Sequence, residues 1–213
     1  MKKLFISIVL LAAAFGGPQS LRAQTPTTPD EKQAAKPRKR GGIFTMHALD
    51  PVSRSLCFND GKEGMAIGNN LWENRCSDLS YTFAGGGSLV AGIESNRVAA
   101  IVDIGTADQL REKYGFDDAE RGGNGFASLR LEGSKIMILQ DNSKPDKLEW
   151  QPLQEAAKLF SEVRANANAP IQLGHVYLVR TLDQRDKNFQ QIVKLMVIGY
   201  RPEESVTVRW ELL

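Results

Sequence analysis

Two histidines, two cysteines and a small set of aromatic residues are the side chains of this 213-residue sequence best suited to build a site. His47 lies in Phe44-Thr45-Met46-His47-Ala48-Leu49-Asp50, with Ser53 close behind. An imidazole, a carboxylate and a hydroxyl are the groups of an acyl-transfer triad, but a triad is made by geometry, and nearness in sequence does not supply it. His175 follows Gly174 at the start of an apolar run. A metal or haem would call on the same two histidines, joined by Met46 or Met137. The sequence holds no H-E-x-x-H, G-x-S-x-G, Walker A or S-x-x-K motif. His47 and His175 are therefore carried as ligand-binding candidates; no residue is assigned a catalytic or metal-binding role and no cofactor is implied.

Cys57 and Cys76 are the only cysteines. Their wide spacing, with no neighbouring histidine, matches neither a zinc site nor the C-x-x-C of an oxidoreductase. An even, low count in an exported chain reads as one disulfide, whose loop closure would contribute roughly 3 kcal/mol. Trp72, Tyr81, Phe83 and Trp150 could line a groove for a sugar, peptide or apolar ligand, since rigid rings supply contact area. The parity of Tyr81 and Phe83 about Thr82 suits a core face, and Trp210 reads as core. Trp72, between asparagine-rich patches inside the cysteine loop, is the aromatic ligand-binding candidate.

The export reading comes from the start of the chain. Lys2 and Lys3 precede an apolar run from Leu4 to Phe15, and Leu21-Arg22-Ala23 offers a cleavage site before Gln24. That order is a signal peptide over 1–23, too short to span a bilayer. No cysteine stands directly after the run to carry a lipid anchor, and no transmembrane segment is expected once the leader is removed. Residues 24–42 form a basic Pro/Thr-rich spacer with no apolar residue larger than Ala or Pro, the composition of a disordered linker. A single domain is expected over 43–213, long enough for a real core. The localisation implied is the bacterial periplasm or the medium.

The formal charge of +2 conceals an asymmetry: leader and spacer each hold a surplus of three positive charges, leaving −4 for residues 43–213. A mildly acidic domain gives no electrostatic reason to bind nucleic acid. The cluster Lys36-Pro37-Arg38-Lys39-Arg40 could meet anionic lipid, and more simply serves as a solubilising linker.

The rest of the chain reads as strands. Ser55–Phe58 enters a turn at Asn59-Asp60-Gly61-Lys62, with Lys62–Ile67 as a returning strand. Asp78–Phe83 and Ser88–Ile93 flank Ala84-Gly85-Gly86-Gly87 as a second hairpin; those glycines lack the Lys and Ser/Thr of a phosphate loop. Arg97–Ile104 (RVAAIVDI) carries a continuous apolar run of strand length, as a central strand covered on both faces would. Thr106 and Gln109 fit a capping box, with a short helix to Tyr114 and Gly115 as its left-handed stop. Asp117, Asp118 and Glu120 precede glycines without the interleaving of a calcium loop, and read as solvated. Phe126–Leu131 and Lys135–Leu139 suggest two more strands. Leu153, Ala156, Ala157, Phe160 and Val163 recur at helical spacing, predicting a three-turn helix over Pro152–Ala165. Val176–Arg180, Ile192–Ile198 and Ser205–Leu212 predict a closing meander; in the last, Val206, Val208, Trp210 and Leu212 alternate with polar residues.

Cys57-Phe58-Asn59-Asp60-Gly61-Lys62, then Trp72 and Ser77-Asp78-Leu79-Ser80-Tyr81, resemble the opening of uncharacterised exported bacterial β-rich domains. Gly174-His175-Val176-Tyr177-Leu178-Val179-Arg180-Thr181 resembles their closing meander, except that Asp183–Asn188 replaces a shorter glycine turn. The resemblance covers about a quarter of the mature chain and implies fold and compartment, with no functional residue. Some haem-capturing bacterial surface proteins have a similar meander, which keeps a haem-like ligand among the expectations.

The fold class expected is α+β, predominantly antiparallel β as a sheet or sandwich, with one three-turn and one short helix. The function expected is an exported non-enzymatic binding domain with an envelope or extracellular protein partner. The alternatives are a carrier of a small apolar or haem-like ligand, with its pocket between helix and sheet, and a hydrolase built on His47 or His175.

Overall fold

The computed structural model describes residues 41–64, 76–82, 87–115, 126–140 and 149–213. These all belong to one compact unit, Arg38–Leu213. Its first strand, β1 (Gly41–His47), begins inside what the sequence reads as spacer. Three strands of the second half form a meander: β10 (His175–Asp183), β11 (Gln190–Arg201) and β12 (Ser205–Leu212). With β1 and β5 (Arg97–Thr106) they make a five-stranded antiparallel sheet in the order β1-β12-β11-β10-β5. In β12 Val206, Val208 and Trp210 are buried while Ser205, Thr207, Arg209 and Glu211 are half-exposed, the period-two split of a strand with one covered face.

Both faces of the β5–β10–β11 half are covered, which is why Val176–Val179 is buried without interruption. On one face lies a four-stranded antiparallel sheet of β2 (Ser55–Leu56), β3 (Leu79–Thr82), β4 (Ser88–Ala91) and β9 (Ala167–Pro170). Met46, Phe58, Tyr81, Leu89, Tyr177 and Trp210 fill the core between them. On the other face lie helix α1 (Ala107–Tyr114), a three-stranded sheet of β6 (Leu129–Glu132), β7 (Lys135–Gln140) and β8 (Glu149–Pro152), a 3-10 turn (Gln154–Ala157) and helix α2 (Lys158–Ser161). Ile104, Leu110, Ile138, Leu153, Leu159 and Leu178 belong to this second core. The fold is the β-dominated α+β architecture expected.

Several local readings hold. The hairpin of β3 and β4 is present. Thr106 caps α1 through a complete capping box, and Gly115 ends it at φ 69 with its N–H on the Arg111 carbonyl. Cys57 and Cys76 form a disulfide with a Cα–Cα distance of 5.0 Å. Among the described residues no helix is long and apolar enough to cross a membrane.

Other readings are corrected. The three-turn helix over Pro152–Ala165 is instead a 3-10 turn followed by a single α-helical turn, and Pro152 ends strand β8. Only Leu153, Ala156 and Leu159 of its apolar positions are buried, and Val163 is 39% exposed, so the pattern had less face to bury than its spacing suggested. Glu162 is already extended, and Arg164 pairs with Ala99 of β5. β5 is covered on both faces as expected, yet it is an edge strand and not a central one. Of the strand expected over Lys62–Ile67, the described residues show a bridge between Leu56 and Glu63, and its residues 65–67 fall outside the described residues. The readings on Trp72, Phe83, the Ala84–Gly86 glycines and the acidic stretch around Asp117 fall outside the described residues.

Candidate functional site

A concavity among the described residues follows from β5 being an edge. Ala99 exchanges both backbone hydrogen bonds with Arg164, at 3.0 and 2.9 Å, on the side away from β10. A Cβ on Gly92 would come within 2.9 Å of the Ala99 nitrogen, so a glycine at φ 72 lets the chain pass there. N-terminal to Arg164 the chain does not continue as a partner strand but turns into α2 and the 3-10 turn, which pack over the second core through Ala156 and Leu159. The space left open is a cleft of about 420 Å³, lined by Ala100, Ile101, Val102 and Asp103 of β5 and by Glu155, Lys158, Glu162, Arg164 and Ala167. Its volume lies in the range of about 300–1,000 Å³ usual for binding sites. It lies between helix and sheet, where the sequence reading expects a carrier's pocket.

The helical wall is held at both ends. Glu155 accepts from Lys113 Nζ and Tyr114 Oη, each at 2.5 Å, and the Gln154 N–H donates to Tyr114 Oη at 3.1 Å. Burial alone would raise the Glu155 carboxyl, but these two donors outweigh it and hold it below the ordinary carboxylate range. Arg180 of β10 lies over the Phe160 ring at 5.0 Å and donates to the Phe160 carbonyl at 3.4 Å.

Asp103 closes one end. Its carboxylate meets His175 Nδ1 at 3.0 and 2.9 Å, accepts from Gly105 N–H at 2.8 Å and from the Gln172 amide at 3.4 Å. A carboxylate on Nδ1 leaves the other ring nitrogen for a ligand or proton, the arrangement of a general base. No described serine, threonine or cysteine side chain hydrogen-bonds to this histidine. At Tyr177, burial first and the Asp103 charge second push the hydroxyl up to about 12. That hydroxyl donates to the Pro170 carbonyl at 2.8 Å and accepts the Gln172 N–H at 3.0 Å.

His47 lies elsewhere. It is exposed at the end of β1, opposite Ser205 of β12, whereas His175 of β10 faces Thr106 of β5. Three strand spacings separate β1 from β10, ~14 Å, so the two histidines do not share one metal or haem iron. Met46 is fully buried in the first core. The grouping of His47, Asp50 and Ser53 is a local turn: the Ser53 hydroxyl donates to Asp50 at 2.7 Å, and the Val52 N–H to the same carboxylate at 2.9 Å. The Ser53 bond first and the Val52 bond second hold Asp50 below its ordinary value. A hydroxyl already given to the carboxylate is not poised on the imidazole.

Of the aromatic groove candidates, the two that are described, Tyr81 and Trp150, do not come together. Tyr81 is core, edge-on to Tyr200 at 6.4 Å, with its hydroxyl accepting the Glu203 N–H. Trp150 lies on β8 in a different sheet, with Arg130 stacked on it at 4.2 Å. Cys57 and Cys76, with Asp78, form a tight group, but the two sulfurs are bonded to each other and so are not available as ligands.

The residues that line the cleft are not legible in the sequence, because the lining depends on strand order. The available signal was the charged run Lys158, Glu162, Arg164 beside a strand with no charge between Arg97 and Asp103. Comparison of the chain with family models, with curated proteins and with solved structures finds no match.

Proposed function

We propose that the chain is an exported, non-enzymatic interaction domain that engages a protein partner outside the cytoplasm through the β5 cleft. The observation that carries this reading is the cleft itself: a strand edge facing a fixed wall whose charged side chains are in part uncommitted. Lys158, Glu162 and Arg164 line it with no ion pair to any described residue. Export is supported by the leader-like start of the chain and by a disulfide, which persists in oxidising compartments. A net charge of −4 over residues 43–213 gives no attraction for nucleic acid.

The test is capture from envelope and culture-medium extracts by the disulfide-bonded protein and by its Lys158→Glu/Arg164→Glu double variant. Both side chains are exposed, so the variant should keep its unfolding curve. A partner retained by the parent protein and lost from the variant is the expected result. Equal capture by both, or a partnerless monomer with measurable turnover, contradicts the reading.

A second reading, a small-ligand carrier, is favoured by the cleft's volume and aliphatic floor of Ala100, Ile101 and Val102. It predicts extra non-covalent mass on the protein in native mass spectrometry; a ligand at 100 times its dissociation constant would also add ~2.7 kcal/mol of stability.

A further inference from the structure

The interaction reading extends to the chemistry of the partner, and the identity of the bound segment rests on that reading. In an antiparallel strand alternate residues send their N–H and C=O groups to the same side. Ala99 sends its pair outward, to Arg164. Ile101 and Asp103 therefore do the same, while Ala100 and Val102 face β10, opposite Arg180 and Leu178. Among the described residues no backbone group meets those of Ile101 and Asp103 on the outer side. Ile101 and Val102 are only half-buried, unlike Ala99 and Ala100 beside them.

The open edge has defined ends. Arg164 closes it at Ala99. At the other end the Gly105 N–H is taken by Asp103 Oδ1, and the Thr106 N–H by Gln109 Oε1 of the capping box. About four residues of extended chain, ~13 Å, fit between them. Such a segment would continue the pairing that the chain abandons when it turns into α2.

The charges select among segments. Asp103 keeps its negative charge while it bonds to His175, and it stands at the end of the open edge opposite Arg164; Glu155 is committed to Lys113 and Tyr114. Lys158, Glu162 and Arg164 remain, two cations against one anion. We infer that the cleft takes an extended peptide segment bearing an acidic side chain. The segment adds as a sixth strand antiparallel to β5, bonds to the outward backbone groups of Ile101 and Asp103, and sets its carboxylate between Lys158 and Arg164. Strand addition of this kind draws affinity from main-chain bonds and specificity from the alternate side chains.

The experiment is selection of a displayed heptapeptide library on the disulfide-bonded protein. Each selected peptide is then resynthesised with single N-methyl groups walked along its backbone. Enrichment in Asp and Glu is expected, with affinity falling about tenfold or more for Lys158→Glu/Arg164→Glu. N-methylation should cost about tenfold at alternate residues and little between them, because only alternate N–H groups point at β5. The walk alters the peptide alone, so it is free of any folding defect in a variant. Peptides that require Lys158 and Arg164 yet show no two-residue period would overturn strand addition and leave the interaction domain standing. No selected peptide, or binding indifferent to the double variant, overturns the inference; the capture experiment then decides separately whether the cleft serves any partner.

Discussion

The five-stranded sheet has two outer edges, and they are treated differently. At β1 the His47 N–H turns away from β12 to Ser53, so Ile43 and Thr45 also point backbone groups outward. That edge lies directly after Lys36-Pro37-Arg38-Lys39-Arg40 in sequence, a proline and four cations of the type that discourage edge-to-edge pairing. At β5 the free groups of Ile101 and Asp103 sit instead inside a walled cleft. The same backbone chemistry lies open at one edge and, on the proposed reading, receives a partner strand at the other.

The edges also differ in what supports them, and the largest expected effect exploits this. Trp210 of β12, beside β1, is buried with its ring 5.3 Å from that of Phe58. Trp210→Ala should cost ~3–5 kcal/mol in a denaturant titration. A loss under ~1 kcal/mol would mean that the β1 side has no such pillar. The β5 cleft is propped by the polar contacts of Glu155 and Arg180 together with Ala156 and Leu159 in the second core.

Beneath the β1–β12 side, Asp78 gives the second effect. Its carboxyl accepts the Phe58 N–H at 2.7 Å, but burial dominates and pushes it up to about 6 from 3.8. A carboxyl whose folded value exceeds its unfolded value destabilises the native state fully above pH 6. The penalty is relieved as pH falls from 6 toward 3.8, and amounts to ~3 kcal/mol across that window. Stability measured at pH 7 and pH 4.5 should show a gain at the lower pH that shrinks in Asp78→Asn. An identical pH profile for the two proteins would remove Asp78 from the account.

The smallest effect compares the edges directly. Proline is tolerated at edge positions whose N–H faces outward. Ile101→Pro should therefore lower peptide affinity about tenfold, ~1.4 kcal/mol, while Thr45→Pro leaves it unchanged. Titration of the selected peptide into both variants, each checked for an intact unfolding transition, reads the difference. Equal losses would show that the edges are not distinct in function.

How much of this was legible in the sequence depended on whether a feature is local. The β12 alternation, the Thr106–Gln109 box, the Gly115 stop and the β3–β4 hairpin are each decided within a few residues, and each was readable. β9 was not: Ala167-Asn168-Ala169-Pro170 has little strand propensity and is a strand because β4 pairs with it. Only the first two residues of β1 are read as spacer, because Gly41 and Gly42 resemble linker, while their partners Glu211 and Trp210 lie at the far end of the chain. The helix at Pro152–Ala165 was overextended because periodicity counts apolar residues without knowing how much surface there is to cover them. Arg97–Ile104 taught the related lesson for the site. Its apolar run reported two covered faces correctly, but a face pattern carries no information on which edge is paired. The cleft exists because of that edge.

The central claim is that the outward amides of β5 are free until a partner strand takes them, and residue-resolved amide hydrogen exchange tests it most directly. In the free protein Ile101 and Asp103 should exchange quickly while Ala100 and Val102, bonded to β10, are protected. Binding of the selected acidic peptide should slow Ile101 and Asp103 by about tenfold or more and leave Ile43 and Thr45 as fast as before. Protection of Ile101 and Asp103 in the free protein, or exchange there that binding does not change, would contradict the account.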